Sequence, residues 1–504
     1  MPGPYSNTVY SEREAINAVW TLVSTAMIFF MQAGFALLEC GSVRAKNSTS
    51  ILIKNLFDAC VGSIAFWLVG YGFAFGDVKS FIGGSPDYFA SSGFENTPED
   101  HYLLWIFHFA FASTSATIVS GSLAERTQLN SYILFSFLQT GFIYPVVVAW
   151  TWGGGWLQQR GFHDFAGVTT IHLVGGCAGF CGAAILGERY GKEKDREARR
   201  QNGDQRRQSV NFESSHHYQK VINHVNKDYH QAFKEWLVNQ SDEFRPHNQT
   251  FVVTGTLILW VAWLFFNGGS TNNLFVPRAN GPAKIIMNTV ISGSCGGVVA
   301  VFVKARVLGT YSFVNRYDCG ALCNGALVGL VSVTGCCDRV EPWAAFIIGG
   351  IGALFYVAGC KILDVLHVDD PVEAAPVHFF GGVWGTLATG FFDNQNGLFY
   401  GSPTKGTFFG YQILGIVAVI TWVGITSSLF FYTMKRLGLF RIDRAIEIIG
   451  LDIAEMGGVG EEIYEKMRRE FGGSIHSPRQ FASTATKMIN GVNDSERKAS
   501  IDRI

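Results

Sequence analysis

Two copies of one short pattern contain the histidines best suited to do chemistry. Asp164 is followed eight residues later by His172, and Asp370 is followed eight residues later by His378. Both copies read D-x7-H-x2-G-G-x2-G, so a glycine pair follows each histidine. An ionisable side chain among apolar neighbours in a membrane segment is costly and is therefore taken as functional. The repeat predicts that the two histidines act as a pair.

Other roles for these histidines stay open. A single histidine would more often be a neutral core residue bonded to a backbone carbonyl, but matching repeat positions favour function. A metal pair is disfavoured because catalytic zinc usually takes three protein ligands, and no third ligand is evident. Two imidazoles between apolar side chains offer few hydrogen-bonding groups, which suits a small neutral molecule. Moving a small cation into low dielectric costs on the order of 20 kcal/mol before relaxation. A cation with a dissociable proton would therefore pass more cheaply if it lost that proton first.

The composition predicts that membrane helices position these residues. Of the 504 residues, 48% are hydrophobic and 16% are charged, against about 25% charged in an ordinary soluble domain. The 58 glycines are typical of closely packed membrane helices. A formal net charge of −1 argues against a nucleic-acid partner, because such binding depends on clustered positive charge.

About eleven segments approach the roughly 20 apolar residues that a spanning helix needs. We place them at 15–39, 49–75, 101–123, 130–152, 167–187, 249–269, 284–305, 318–335, 342–363, 374–392 and 407–434. Lys and Arg collect in alternate loops, and short cytoplasmic loops carry the excess of these residues. This bias predicts an N-terminus outside the cell and a C-terminus in the cytoplasm.

A hydrophilic stretch at 188–247 divides the predicted spans into two halves. The resulting regions are an extracellular N-terminus at 1–14, a five-helix half at 15–187, a cytoplasmic loop insertion at 188–247, a second half with an eleventh helix at 248–436, and a cytoplasmic tail at 437–504. Five spans per half invert the second half relative to the first. Inverted repeats place their substrate site where the halves meet near the midplane, so we expect His172 and His378 to face each other there.

Aromatic residues near polar groups form a second candidate cluster. They are Phe107 and Phe111 on the third span, Trp152 at the end of the fourth, and Trp263, Phe266 and Ser270 on or after the sixth. Any one of these aromatic residues is as readily explained as part of the belt that anchors a membrane protein at the interface. Several aromatic faces beside a hydroxyl, however, are what a small cation needs for cation–π attraction.

Several motifs in the same order resemble one family. They are GSVRAKN (41–47), DACVGSIAFWLVGYGFAFG (58–76), GSLAERTQ (121–128), TGFIYPVVVAWTWGGG (140–155), DFAG (164–167) and DDPVEAAPVH (369–378). Together they resemble the ammonium transporters, close to the plant and invertebrate Amt branch, over about residues 15–462. Trp152 favours Amt over the Rh branch, which usually lacks that tryptophan.

The resemblance implies a fold and a set of site residues. The fold is an all-α membrane protein of eleven helices, with two inverted five-helix repeats and a last long helix. Trp152 and Ser270 match residues that hold ammonium at an outer site, Asp164 matches the acid beneath it, Phe111 and Phe266 match a stacked gate lined by Phe107 and Trp263, and His172 and His378 match the twin histidines of the pore. Ammonium would then be bound outside, deprotonated near the gate and passed as ammonia.

The same resemblance implies partners and a location. It implies a homotrimer with one pore per subunit in the plasma membrane, with ammonium, ammonia and methylammonium as substrates. The run GLDIAEMGG (450–458) resembles the tail that couples neighbouring subunits, which makes Asp452, Gly457 and Gly458 candidate regulatory residues. We expect no metal and no cofactor.

Two other functional classes compete with transport. A sensor of the same fold would bind ammonium with little flux and signal through the long loop and the tail. An intramembrane enzyme would use Asp164, His172 and His378 as acid–base groups, but the sequence offers no convincing nucleophile or metal site. We therefore expect no enzymatic activity, and flux across a membrane distinguishes a transporter from a sensor.

Overall fold

The computed structural model describes residues 9–193, 244, 246–308 and 317–454, and its regular elements are helices. The α-helices are α1 Glu12–Ser42, α2 Ser48–Ala65, α3 Tyr71–Phe75, α4 His101–Ser122, α5 Leu129–Leu138, α6 Tyr144–Thr151, α7 Trp156–Gln159, α8 Val174–Leu186, α9 Gln249–Gly269, α10 Pro282–Val307, α11 Cys319–Val333, α12 Pro342–Leu366, α13 Gly381–Phe392, α14 Lys405–Arg436, α15 Arg444–Ile449 and α16 Leu451–Ala454. Short 3₁₀ turns lie at Ala45–Asn47, Pro86–Ser91, Phe94–Asn96 and Arg278–Asn280.

In the described ranges, four π-helical turns continue or precede these helices. They span Phe66–Gly70, Gln139–Ile143, Val168–Leu173 and Ala375–Phe380. The last two contain His172 and His378 and lead directly into α8 and α13. Both copies of the sequence repeat therefore adopt the same local structure. This structure is unusual, because single π-turns are rare and concentrate at functional sites.

The protein is an all-α membrane protein. Within the part of the chain that the structure describes, nine helical segments are long and apolar enough to cross a membrane. They are Glu12–Ser42, Ala45–Phe75, His101–Ser122, Leu129–Gln159, Val168–Leu186, Gln249–Gly269, Arg278–Val307, Pro342–Leu366 and Lys405–Arg436. The predicted span 318–335 corresponds to the shorter apolar helix α11, and 374–392 corresponds to a π-turn followed by α13. Eleven spans therefore remain a prediction.

Glycines allow the two repeat segments to cross at backbone contact. A methyl group at Gly176 would lie 2.2 Å from the backbone nitrogen of Phe379, and one at Gly382 would lie 3.1 Å from the Cα of Leu173. The second glycine of each pair thus faces the backbone of the opposite segment. At Gly176 only a residue without a side chain permits so close an approach, and at Gly382 a side chain would be tight, which gives the second glycine of each copy a structural reason.

Buried ion pairs tie together the loops that precede the second repeat segment. Arg189 pairs with Asp369 at 2.7 Å and with Glu125 at 2.8 Å, and Arg44 also contacts Glu125. Burial acts to raise the pKa of Glu125, but Arg189 and Arg44 outweigh it and hold that pKa below its usual value. The same competition between burial and Arg189 leaves the pKa of Asp369 lowered. Both carboxyl groups are therefore charged at neutral pH.

The described part of the tail packs against the start of α2. The carboxylate of Asp452 accepts hydrogen bonds from the backbone nitrogens of Thr49 and Ser50, at 2.8 and 2.7 Å. The backbone nitrogen of Leu451 donates to the side chain of Asn47 at 2.9 Å. Asp452 thereby satisfies free N–H groups in the first turn of α2, where a negative charge is favourable.

Some predicted features lie outside the described residues. They include 194–243 and 245 of the loop insertion, and the tail from residue 455 onward, with Gly457 and Gly458.

Candidate functional site

His172 and His378 meet where the two repeat segments cross. Their ring centroids are 5.2 Å apart and their planes differ by 21°, so the imidazoles are stacked. Both side chains are buried. Both nitrogens of His172 and Nδ1 of His378 are buried without a hydrogen-bond partner. This geometry does not fit core histidines bonded to carbonyls, and because buried polar groups normally have partners, it makes the pair a candidate site for a ligand.

Asp164 fixes the segment that contains His172. Its carboxylate accepts hydrogen bonds from the backbone nitrogens of the next turn, at 3.0, 2.7, 2.9 and 2.8 Å for Gly167, Val168, Thr169 and Thr170. The hydroxyl of Thr170 donates a further bond at 2.8 Å. The carboxylate is thus committed to the N-terminus of the helix, which favours a positioning role.

Asp370 holds the second segment in a related way. Its Oδ2 accepts from the backbone nitrogen of Ala375 at 2.7 Å and from the hydroxyl of Ser122 at 3.2 Å. Its Oδ1 is buried without a hydrogen-bond partner. The aspartate that opens each sequence repeat therefore caps the π-turn that carries the histidine, which gives the eight-residue spacing a structural reason.

Aromatic rings continue the column from His172 towards the end of α9. The His172 ring stacks on Trp263 at 5.0 Å and on Phe266 at 5.5 Å. Phe266 meets Phe111 at 4.6 Å with an interplanar angle of 90°, and Phe111 meets Phe107 at 4.8 Å. The two gate candidates, Phe111 and Phe266, therefore contact each other edge to face, the arrangement that the ring quadrupole favours.

The remaining candidates lie beyond this pair of rings. Trp152 follows α6, donates from Nε1 to the backbone oxygen of Asp164 at 2.7 Å, and lies 6.1 Å from Phe111 between ring centroids. Ser270 is the C-cap residue directly after α9, one turn beyond Phe266, and its hydroxyl donates to the backbone oxygen of Phe266 at 2.7 Å. The tryptophan thus contacts one ring of the edge-to-face pair, and the hydroxyl is bonded to the backbone of the other.

Two residues that the sequence analysis did not select also join the column. The His108 ring lies 4.4 Å from Phe75 and 6.0 Å from Trp152, and Phe35 lies 6.2 Å from His378. The signal for His108 was present in the sequence, since it is a histidine inside an apolar span, between residues already selected. Phe35 gives no comparable signal because one phenylalanine among many apolar residues is indistinguishable from core packing.

The column suits a small cation at one end and a neutral molecule at the other. Aromatic faces near Trp152 attract a desolvated cation, whereas the buried imidazoles offer single hydrogen-bonding nitrogens. Among the described residues, no group of three His, Cys, Asp or Glu side chains has a geometry that holds a metal ion.

The sequence matches that of known ammonium transporters over most of its length. The profile of the Ammonium Transporter Family matches residues 19–205 and 230–461. Ammonium transporter 1 member 3 of Solanum lycopersicum is 36% identical over 483 residues, covering 89% of this chain and 93% of that protein. Ammonium transporter 3 of Dictyostelium discoideum is 33% identical over 467 residues, covering 90% of this chain and 96% of that protein.

Solved structures share the fold. One described as a Sensor Amt Protein superposes with a TM-score of 0.72 at 30% identity, covering 88% of this chain and 98% of that chain. Saccharomyces cerevisiae Mep2 superposes with a TM-score of 0.67 at 25% identity, covering 87% and 92%. With a family profile that matches well over half of the sequence, and relatives above 30% identity across nearly all of it, this chain belongs to the ammonium transporter family.

Proposed function

We propose that the protein recruits ammonium at an outer aromatic site, removes a proton, and passes ammonia along a hydrophobic twin-histidine pore. The support is threefold: the chain belongs to the ammonium transporter family, related proteins are named ammonium transporters, and the aromatic and histidine candidates form one continuous column of ring contacts. The family relation also argues for a transporter and against an enzyme.

The outer step is recruitment of the cation. Trp152 and Phe107 present aromatic faces, and Ser270 presents a hydroxyl oxygen that accepts a hydrogen bond from an N–H group. Cation–π attraction is worth about 2 kcal/mol or more when the cation is desolvated. The site therefore replaces part of the hydration that ammonium gives up on entering, while Asp164 keeps the neighbouring turn in place.

Passage through the gate and the pore requires that ammonium lose a proton first. Phe111 and Phe266 close the column edge to face at 4.6 Å, and beyond them lie Trp263 and the imidazoles. Because the Born cost of a bare ammonium-sized ion in low dielectric is on the order of 20 kcal/mol, ammonia crosses this stretch at far lower cost. The nitrogens of His172 and His378 then offer it hydrogen bonds one at a time.

One observation carries the proposal most strongly. The stacked imidazoles of His172 and His378 are buried, lie at matching repeat positions, and have nitrogens with no partner among the described residues. Leaving a buried polar group unpartnered costs about 1–3 kcal/mol. Two such side chains at one crossing are explained by a ligand that hydrogen-bonds to them during transport.

Assembly, location and regulation extend the proposal. We place the protein in the plasma membrane as a homotrimer with the N-terminus outside, and we include methylammonium among its substrates. Exposed apolar side chains on the outer helix faces, such as Leu56 and Leu429, suit contact with lipid or with a neighbouring subunit. Asp452, Gly457 and Gly458 are the proposed regulatory residues, and the contacts of Asp452 with the start of α2 support this role.

The test is uptake of labelled methylammonium by yeast that lack their own ammonium permeases. Saturable uptake is expected for the unmodified protein, with a sharp fall in His172→Ala and Trp152→Leu variants at equal amounts in the membrane. Uptake that is unchanged in both variants would refute the assigned path.

A sensor with little flux is the second candidate. The specific observation in its favour is the similarity to the structure described as a Sensor Amt Protein, which covers 98% of that chain. Measurable binding of ammonium without uptake by the unmodified protein would favour the sensor over the transporter.

A further inference from the structure

His108 lies among the rings of the outer aromatic site, although none of the roles above uses it. Its ring centroid is 4.4 Å from Phe75, 5.6 Å from Phe107, 6.0 Å from Trp152 and 6.3 Å from Phe111. An imidazole thus contacts three of the residues assigned to ammonium recruitment and gating. It is a polar side chain in a wall that is otherwise made of aromatic carbon.

The two nitrogens of His108 differ in their surroundings. The residue is partly buried, and Nδ1 is buried with no hydrogen-bond partner. Nε2 is not among the buried atoms and has no hydrogen bond to a described residue, so this nitrogen is the accessible one. In the tautomer that carries its proton on Nδ1, Nε2 is a hydrogen-bond acceptor. The acceptor is then free to meet a ligand.

Neighbouring titratable groups are engaged elsewhere. His101, on the same helix, shares a hydrogen bond of 2.9 Å with the hydroxyl of Tyr71. The carboxylate of Asp164, next to Trp152, is directed at the backbone of its own turn. Within the described residues, none of these groups forms an ion pair or hydrogen bond with His108. The accessible Nε2 of His108 therefore has no structural partner among the described residues.

We propose that Nε2 of His108 accepts a hydrogen bond from the ammonium ion at the outer site and thereby selects it over potassium. This inference rests on the proposed transport function and adds a residue that determines specificity. Aromatic faces attract either cation through charge alone. An imidazole acceptor adds a directional bond that only a cation with N–H donors can make, and hydrogen bonds to charged groups are the stronger ones.

The test measures methylammonium uptake in yeast lacking their own permeases, with and without added potassium. His108→Leu and His108→Met remove the acceptor with two different apolar shapes, and His108→Gln retains an acceptor oxygen. His101→Gln is the matched control, because it changes the other histidine of α4 outside the ring column. Each variant is compared at equal amounts in the membrane, and KM, the maximal rate and the potassium inhibition constant are determined.

We expect the apolar variants to raise KM about tenfold, the scale of one lost hydrogen bond to a charged group, while the maximal rate changes less than about twofold. The ratio of the potassium inhibition constant to KM should fall by a similar factor. His108→Gln should restore most of both values, and His101→Gln should match the unmodified protein. Unchanged KM in either apolar variant, or failure of His108→Gln to restore it, would overturn the role of His108. Absence of saturable uptake by the unmodified protein would instead refute the proposed transport function.

Discussion

Replacing Gly176 by alanine should separate the two repeat segments at the histidine crossing. The added methyl group would lie 2.2 Å from the backbone nitrogen of Phe379 and 2.6 Å from the carbonyl carbon of His378. Real Cβ atoms essentially never approach closer than 3.0 Å, so at least about 0.8 Å of movement is required. The clashing atoms belong to backbone, which cannot rotate away.

This movement is large compared with the displacement that a precisely aligned pair of side chains tolerates. The His172 and His378 centroids are 5.2 Å apart, and displacements near 1 Å are enough to cost about 10²-fold in precisely aligned sites. We expect the uptake rate of Gly176→Ala to fall at least roughly tenfold. Overpacking of a close-packed core also costs about 1–3 kcal/mol, so the melting temperature should fall as well.

A series of glycine variants provides the assay and its controls. Methylammonium uptake at equal surface amounts and thermal unfolding of the purified protein are measured for each. Gly382→Ala, where the contact is 3.1 Å, should be affected less, and Gly424→Ala, where nothing lies within 4 Å, should transport normally. Equal uptake by Gly176→Ala and Gly424→Ala would refute the idea that the segments meet at backbone contact beside the histidines.

Three further perturbations test the elements that support the site. Asp164→Asn puts amide hydrogens against backbone N–H donors, so the melting temperature and uptake should fall together; unchanged melting would contradict a positioning role. Asp452→Ala removes a helix cap worth about 1 kcal/mol and should reduce methylammonium uptake at equal surface amounts if the tail supports transport; normal uptake would refute that. The lowered pKa values of Glu125 and Asp369 mean that their stabilisation is complete above the usual carboxyl pKa of about 4 and is lost only below it, so these two groups should contribute nothing to any change in melting temperature between pH 7 and pH 5 in the unmodified protein. In Arg189→Ala, both pKa values should rise, because burial is then opposed only by the remaining cations, Arg44 beside Glu125 and Arg126 near Asp369. The loss of stability should therefore be several kcal/mol at pH 7 and smaller at pH 5; a larger loss at pH 5 would contradict the ion-pair account.

The fold class and the histidine pair could be predicted from the sequence for clear physical reasons. Long apolar segments with few charges predict membrane helices from composition alone. An eight-residue spacing repeated in the two halves singles out His172 and His378 among the 12 histidines. That inference needs no side-chain geometry, because matching positions in two repeats are brought together by the fold itself.

Other features depend on tertiary contacts that no local pattern encodes. The helix α11 ends at Val333, and the chain beyond it pairs with another loop, with Phe165 donating to the backbone oxygen of Gly335 at 3.0 Å and Ala166 to that of Thr334 at 3.1 Å. This pairing shortens a segment that apolar content alone predicts to span 318–335. The π-turns are likewise not predicted by the sequence, because their four segments share no common residue pattern.

The role of Asp164 shows the same limit. Its position beneath the outer site was inferred from resemblance, but only the structure reveals that its carboxylate caps the turn leading to His172. His108 illustrates a different limit, since it lies beside Phe107 on a predicted span and the argument from buried ionisable groups applies to it as well. Its importance emerges from the contacts with Phe75 and Trp152, which lie far away in sequence.

The central claim is that the column ending at His172 and His378 carries substrate across the membrane. Its most direct test is methylammonium flux by the purified protein in liposomes, where no host permease contributes, comparing the unmodified protein with His172→Ala and with empty vesicles. The account predicts saturable accumulation by the unmodified protein and accumulation near the empty-vesicle level for His172→Ala. Binding of the substrate by the unmodified protein with no accumulation above empty vesicles would contradict it.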